Sequence, residues 1–388
     1  MRHIVSWACI ASSFLVLNTF AFIPLPKSGT MTSTFRPSDW SVEQRPILRI
    51  APNDTIDFSL FAGLTRLADG SVVVASDARN NLQFFDTNGR RIKIVGRAGH
   101  GPGEFDGIWK MSRSGDTLVV QDRSGIAHLF LATGVFLRSD PVISNPTNLY
   151  GYQRDGSRIT GTLDDSKARE GTWTRASESL QRRRGAAITN LGDFPTLELT
   201  RTNSGRPKSK VYAPRNRVAV LSQYVCAGYS GGLTINCYDS QGRKFGTATL
   251  TGAKAVPVTK EDEEAYFNDI YEANVGDSRE RLDQQVRMER ERRTFSKSMG
   301  YFGNLVASRD DLLWVGPPSN ADGRPFVTNV VPSAQTTWRV FRPDGTQVAA
   351  VSLPARFRLV EAGSDYAAGI TTDDVGAEVV LVYRLKKR

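Results

Sequence analysis

Along most of the chain, short runs of β-branched and aromatic residues alternate with pairs of turn-forming residues, and the spacing repeats. A first turn followed by a β-rich run occurs six times. Asp69-Gly70 precedes Ser71-Val72-Val73-Val74, Ser114-Gly115 precedes Thr117-Leu118-Val119-Val120, and Asp155-Gly156 precedes Ser157-Arg158-Ile159-Thr160. The other copies are Arg215-Asn216 before Val218-Ala219-Val220-Leu221, Arg309-Asp310 before Leu312-Leu313-Trp314-Val315, and Ser364-Asp365 before Tyr366-Ala367. Four units carry a second turn, whose glycine lies four residues after an aromatic: Phe85 to Gly89, Phe130 to Gly134, Tyr238 to Gly242 and Phe341 to Gly345. Asn, Thr, Gln or Asp precedes each of these glycines, which suits a tight hairpin needing positive φ.

Two hairpin turns per unit imply four antiparallel strands per unit. First turns lie 45 and 41 residues apart (Gly70 to Gly115, Gly115 to Gly156), the length of one propeller blade. Such a sheet buries both faces only against neighbouring sheets, so the units must stack in a ring. The pattern predicts an all-β, six-bladed β-propeller with four-stranded blades over residues 45–388. Glu378-Val379-Val380-Leu381-Val382-Tyr383 supplies a third strand to the last unit, after which the chain stops. Pro46-Ile47-Leu48-Arg49-Ile50 is predicted to be the missing fourth, so that an N-terminal strand closes the last blade and leaves no open edge.

Residues 259–299, between blades four and five, break the pattern. Thr259 opens a helix-like run with Tyr266, Phe267, Ile270 and Tyr271 on one face, and Gly276 ends it. Asp277-Ser278-Arg279-Glu280 has capping-box spacing and opens a second, highly charged run to Arg293. An inserted helical pair on a rigid ring is a candidate lid or docking arm, because insertions carry function on scaffolds; the alternative is a surface insertion whose aromatic face rests on blade four or five with its charges in water. The arm's candidate contact residues are Tyr266, Phe267, Tyr271, Arg287, Arg290 and Arg293.

The amino terminus reads differently. Residues 1–23 have Arg2 followed by an apolar stretch from Ile4 to Phe22, the pattern of an export signal, with an uncleaved membrane anchor as the alternative. Residues 24–44, rich in Ser, Thr and Pro, form a loose lead-in. Export allows disulfides, and Cys226 and Cys237 flank a hairpin sequence centred on Gly231-Gly232, which sets them face to face across the strands. A disulfide is expected there; two free buried thiols are the bland alternative.

The formal net charge of +10 favours contact with acidic surfaces. No nucleic-acid reader motif accompanies it, and runs such as Arg182-Arg183-Arg184 and Lys386-Lys387-Arg388 read as solvated loops and tails, so nucleic acid is not an expected partner.

Gly99-His100-Gly101-Pro102-Gly103-Glu104-Phe105, between the first two units, resembles the connector of NHL-repeat propellers. Asp69 to Asp77, Asn81-Leu82-Gln83-Phe84-Phe85-Asp86 and Gly89 agree with the same pattern. The chain looks especially like the bacterial exported six-bladed propellers related to NHL proteins. That resemblance implies fold and export, with no reaction attached. Lactonase-like propellers hold a divalent cation with Glu, Asn and Asp, and amidating-lyase members use several His; this chain has only His3, His100 and His128.

Asp77 and Asp122 each follow a first-turn glycine by seven residues and are candidates for the pocket rim, with loop-stabilising hydrogen bonds as the alternative role. His100, in the glycine-rich connector, is a third rim candidate. His128 alternates with apolar neighbours and reads as packing, and no Ser-His-Asp arrangement is assembled. The expected function is therefore an exported, non-catalytic scaffold: a monomer of the periplasm or cell exterior that binds an envelope protein, peptide or glycan, without a cofactor. The alternative is a metal-dependent hydrolase or lyase at the channel mouth, using a divalent cation such as Ca2+.

Overall fold

The computed structural model describes residues 38–141, 147–274, 277–319 and 331–387. The export segment 1–23, most of the lead-in and Gly276 lie outside the described residues. What is described is an all-β, multi-sheet, propeller-like architecture.

The first sheet consists of strands Phe61–Arg66, Val72–Ser76, Asn81–Phe85 and Arg91–Val95 in sequence order. Its second strand is buried along its whole length, and the alternation of side chains shows why. Val72 and Val74 pack with Ile370, Val380 and Val382 of the chain's last strands, while Val73 and Ala75 pack with Leu118, Val120 and Phe130 of the next sheet. A strand covered on both faces reads as an unbroken apolar run, each fully buried Val contributing about 1.5–3 kcal/mol. Gly89 and Gly134 hold the second turns with φ of 81° and 83°, where a side chain would be strained.

The second sheet, Ile108–Ser114, Thr117–Asp122, Ile126–Leu131 and Phe136–Pro141, and the fourth, Asn216–Val220, Val225–Tyr229, Thr234–Tyr238 and Lys244–Thr249, follow the same order. The third differs. Thr174–Arg184 and Ala187–Arg201 are 11 and 15 residues long, and a short fifth strand, Pro207–Ser209, is added. Arg182-Arg183-Arg184 therefore belongs to a strand and not to a solvated loop; Arg182 donates to Gln153 Oε1 at 2.7 Å and pairs with Asp155.

Val256–Pro257 and Ser298–Gly300 form a small two-stranded sheet, and the other strands join into one nine-stranded sheet. Leu48–Ile50 pairs antiparallel with Glu378–Lys386, Leu48 opposite Val382, so an N-terminal strand does complete the last strands of the chain. The lead-in contributes a strand that its composition did not suggest. Ser38–Val42 runs parallel to Gln347–Leu353 and antiparallel to the end of Glu378–Lys386, and Trp40 is buried between them. Cys226 and Cys237 face each other across the fourth sheet and are joined by a disulfide.

Helices α1 (Lys260–Ala273) and α2 (Arg279–Arg292) form the insertion. Thr259 caps α1 in a reciprocal capping box with Asp262. The cap of α2 is Ser278, whose hydroxyl accepts from the Arg281 N–H, one residue later than the Asp277 box the sequence suggested.

Candidate functional site

The first strand of each unit borders the first strand of the next: Phe61–Arg66, Ile108–Ser114, Thr147–Tyr152, Asn216–Val220, Leu305–Ala307 and Arg358–Ala362, which returns to Phe61–Arg66. Together they enclose a central cavity of about 490 Å³. Four of these inner strands carry a register irregularity near their entrance: Phe61/Gly63, Ile108/Lys110, Leu149/Gly151 and Leu359/Glu361. A bulge re-aims the side chains around it. Trp109 and Tyr150, at two of these bulges, line the cavity, and Trp109 is 61% exposed to it and to solvent.

The cavity wall is basic. Lys110 is exposed in the channel, and its ammonium donates to the Tyr150 carbonyl at 3.2 Å. Desolvation lowers the Lys110 pKa from the ordinary lysine value. Arg123 pairs with Asp77, whose hydrogen bond raises the guanidinium's pKa, and it lies 5.8 Å from the centre of the Trp109 ring. At the other end of the channel, Arg309 donates to the carbonyls of Gly115 at 3.0 Å and Arg113 at 3.3 Å. Arg113 itself is nearly buried and donates to the Arg66 carbonyl at 2.9 Å.

The carboxylates near this cavity are occupied. Glu361 accepts from Thr65 Oγ1 at 2.6 Å, the Arg66 N–H at 2.9 Å and the Tyr366 hydroxyl at 2.6 Å. Behind Tyr150, buried Glu178 accepts from the Tyr150 hydroxyl at 2.6 Å and from the Asn216 and Asn148 amides at 2.9 and 3.3 Å. Burial, with the adjoining carboxylate, pushes both phenol pKa values up, so Tyr150 and Tyr366 stay protonated donors.

Asp77 lines the cavity. Asp122 does not: one oxygen accepts from the Ser124 hydroxyl and the Ile126 N–H, closing its own loop. His100 is exposed and outside the cavity wall. The aromatic face of the insertion is turned inward and is not a free docking surface. Tyr266 and Phe267 are 1% and 3% exposed, packed with Val211, Tyr212, Ile270 and Met299 against the body of the protein. Apolar rings at i and i+1 are driven inward, where burial is favourable. Tyr271 donates to Asp283 at 2.8 Å, Arg290 pairs with Glu264 and covers the Phe267 ring, and Arg293 pairs with Glu289. Arg287, exposed on α2, donates to the Asp283 carbonyl at 3.4 Å.

A second constellation joins His128, read in the sequence as packing, to the rim candidate Asp122. His128 is buried, with Nε2 3.1 Å from Asp122 and Nδ1 3.0 Å from the Ser139 hydroxyl. The three residues stand on neighbouring strands of the second sheet, with Ser139 directly opposite His128. The signal was a histidine beside a rim aspartate. Ser139 became its neighbour only through strand register.

No family model matches the sequence, and no curated protein sequence matches it. Among solved structures, a member of the duf4221 family from Bacteroides vulgatus is similar at a TM-score of 0.52 and 8% identity, covering 91% of this chain and 100% of that one. A calcium-binding protein, regucalcin, from Agrobacterium tumefaciens is similar at 0.40 and 10% identity, over 90% of this chain and 97% of that one. The virginiamycin B lyase of Staphylococcus aureus is similar at 0.40 and 10% identity, over 90% and 100%. At these identities the likeness concerns the fold.

The expectations of a non-catalytic scaffold and of no enzyme are corrected at this point. The aromatic surface that carried them, Tyr266 and Phe267, is buried against the body of the protein. Among the described residues, no group of three or more His, Cys, Asp or Glu converges to hold a metal. Asp77 and Glu361 are bonded to protein donors. The residues present do not fit a hard divalent cation, and no step is routed through one.

Proposed function

We propose that this chain is an exported six-bladed β-propeller of the NHL-like kind, and a hydrolase or lyase that acts on a small anionic substrate in its central channel. Six inner strands in a closed sequence of neighbours support the ring of six. The observation that carries the enzymatic reading is Lys110: an amine in a solvent-reached cavity, beside the exposed Trp109 ring and the Arg123 guanidinium. A cavity of about 490 Å³ holds a small organic molecule, and an arginine-lined wall selects a carboxylate or phosphate. Lys110 would be the general base, its lowered pKa giving a neutral amine closer to working pH. It would take the proton from a carbon next to a carbonyl in a lyase, or from the attacking water in a hydrolase. Trp109 offers a flat apolar face for the substrate body.

Residues 1–23 would direct export, with residues 45–388 as the propeller domain and 259–299 as a surface insertion packed on it. The n-region Arg2, the apolar run after it and the Cys226–Cys237 disulfide support an oxidising destination, the periplasm or cell exterior. Among the described residues, no helix is long and apolar enough to cross a membrane.

The deciding experiment is a turnover screen of anionic lactones, esters and β-elimination substrates with wild-type chain and Lys110→Met. Turnover that collapses in the variant, while its thermal stability is no lower than that of the wild-type chain, supports the reading. Binding or turnover indifferent to Lys110 overturns it.

A further inference from the structure

We propose that Ser139, His128 and Asp122 form a nucleophilic relay on the second sheet, able to accept an acyl group from small esters, at a site separate from the channel. None of the three lines the central cavity.

The geometry assigns each role. Asp122 has one oxygen fixed by the Ile126 N–H at 2.9 Å and the Ser124 hydroxyl at 2.7 Å, which leaves the other aimed at His128 Nε2. An ionised carboxylate only accepts, so the imidazole proton belongs on Nε2 and Nδ1 is left to accept from Ser139. The tautomer thus follows from the partner. The Phe105 ring meets the imidazole edge-on at 5.2 Å between centroids, at 86°, and holds its plane. His128 and Asp122 are buried, whereas Ser139 is exposed, so base and orienting acid are shielded and the nucleophile faces solvent. Phe136–Pro141 is the edge strand of its sheet, so among the described residues no strand pairs with its open side. Edge N–H groups of that kind can receive a substrate carbonyl oxygen.

The step balances without a further reactant than water. Ser139 Oγ attacks the ester carbonyl carbon while its proton passes to His128 Nδ1, and the imidazolium is stabilised by Asp122. The tetrahedral intermediate expels the alkoxide, which takes that proton and leaves as the alcohol. Water then repeats the sequence on the acyl-serine, releasing the carboxylic acid and restoring Ser139.

The test is labelling of the full, folded chain with a fluorophosphonate probe, mapped by peptide mass spectrometry. The expected result is modification at Ser139 about 100-fold or more faster than in the urea-unfolded chain, consistent with general-base assistance. It should vanish in Ser139→Ala and drop in His128→Gln. Ser139→Ala changes an exposed position, and the comparison of folded with unfolded wild-type chain needs no variant, so the test survives if His128→Gln does not fold. Lys110→Met should label normally, which separates this site from the channel reading. Labelling of Ser139 no faster in the folded than in the unfolded chain overturns the proposal.

Discussion

The guanidinium of Arg309 lies 3.0 Å from the carbonyl oxygen of Gly115, a residue 194 positions earlier in the chain. The inner strand next to Arg309 is separated by two others, in either direction around the sequence of neighbours, from the inner strand next to Gly115. The contact therefore spans the channel and makes a floor for it, which turns a through-hole into a pocket. Arg309→Ala should remove two hydrogen bonds from an exposed group, at a cost of about 1 kcal/mol or less. A melting curve lowered by only a few degrees, together with faster entry of a small quencher to Trp109 fluorescence, is the expected outcome. Unchanged quenching would mean that Arg309 closes nothing.

Lys110 carries a sign that can be measured without a substrate. Its folded pKa is lowered, so between the folded and unfolded values the unfolded chain binds more protons and stability rises with pH. Below the folded value the penalty is fully present. Lys110→Met should therefore stabilise the protein near neutral pH, with the gain shrinking as the pH rises toward the ordinary lysine value. Urea midpoints across that range would show a gain of this shape; a gain constant with pH would refute the assignment.

Tyr150→Phe removes one of the donors to Glu178 and leaves that buried carboxylate short of a hydrogen bond. The expected loss is about 1–3 kcal/mol by equilibrium unfolding. A change within experimental error would show that water reaches Glu178.

Phe267→Ala tests the corrected role of the insertion. A side chain that is 3% exposed, ringed by Tyr266 and Phe295, should cost about 3–5 kcal/mol when truncated. A docking residue would instead leave stability nearly untouched. Chemical denaturation separates the two.

Removing the disulfide by Cys226→Ala with Cys237→Ala should lower stability by about 2–3 kcal/mol, since it closes a loop with a sequence separation of 11. The same loss should follow reduction of the wild-type chain, read as a shift in denaturant midpoint.

Much of this protein was legible in its sequence because the relevant physics is local. A glycine that must adopt positive φ, as at Gly89 or Gly134, announces a turn wherever it occurs. The fully apolar Val72-Val73-Val74-Ala75 run states that both faces of its sheet are covered. The register of Cys226 with Cys237 follows from the centre of one hairpin, and Leu48–Ile50 as a closing strand follows from a last unit that is one strand short. The insertion's helices were also local, set by caps at Thr259 and Ser278. Which way their aromatic face turned was not, because Tyr266 and Phe267 chose between solvent and Val211, Tyr212 and Met299, residues outside the two helices.

The site belongs to that second class. Residues on one cavity wall come from strands spread between Phe61 and Ala362, and their convergence depends on the order in which sheets pack. Arg309 meets Gly115, and Ser38–Val42 enters between Gln347–Leu353 and Glu378–Lys386, through contacts that no window of sequence contains. Ser139 meets His128 because antiparallel register sets them opposite, and a slip of one residue would have turned Ser139 to the other face. Turn chemistry and hydrophobic period determined the strands; the closing of the ring and the register of its edges decided which side chains became neighbours.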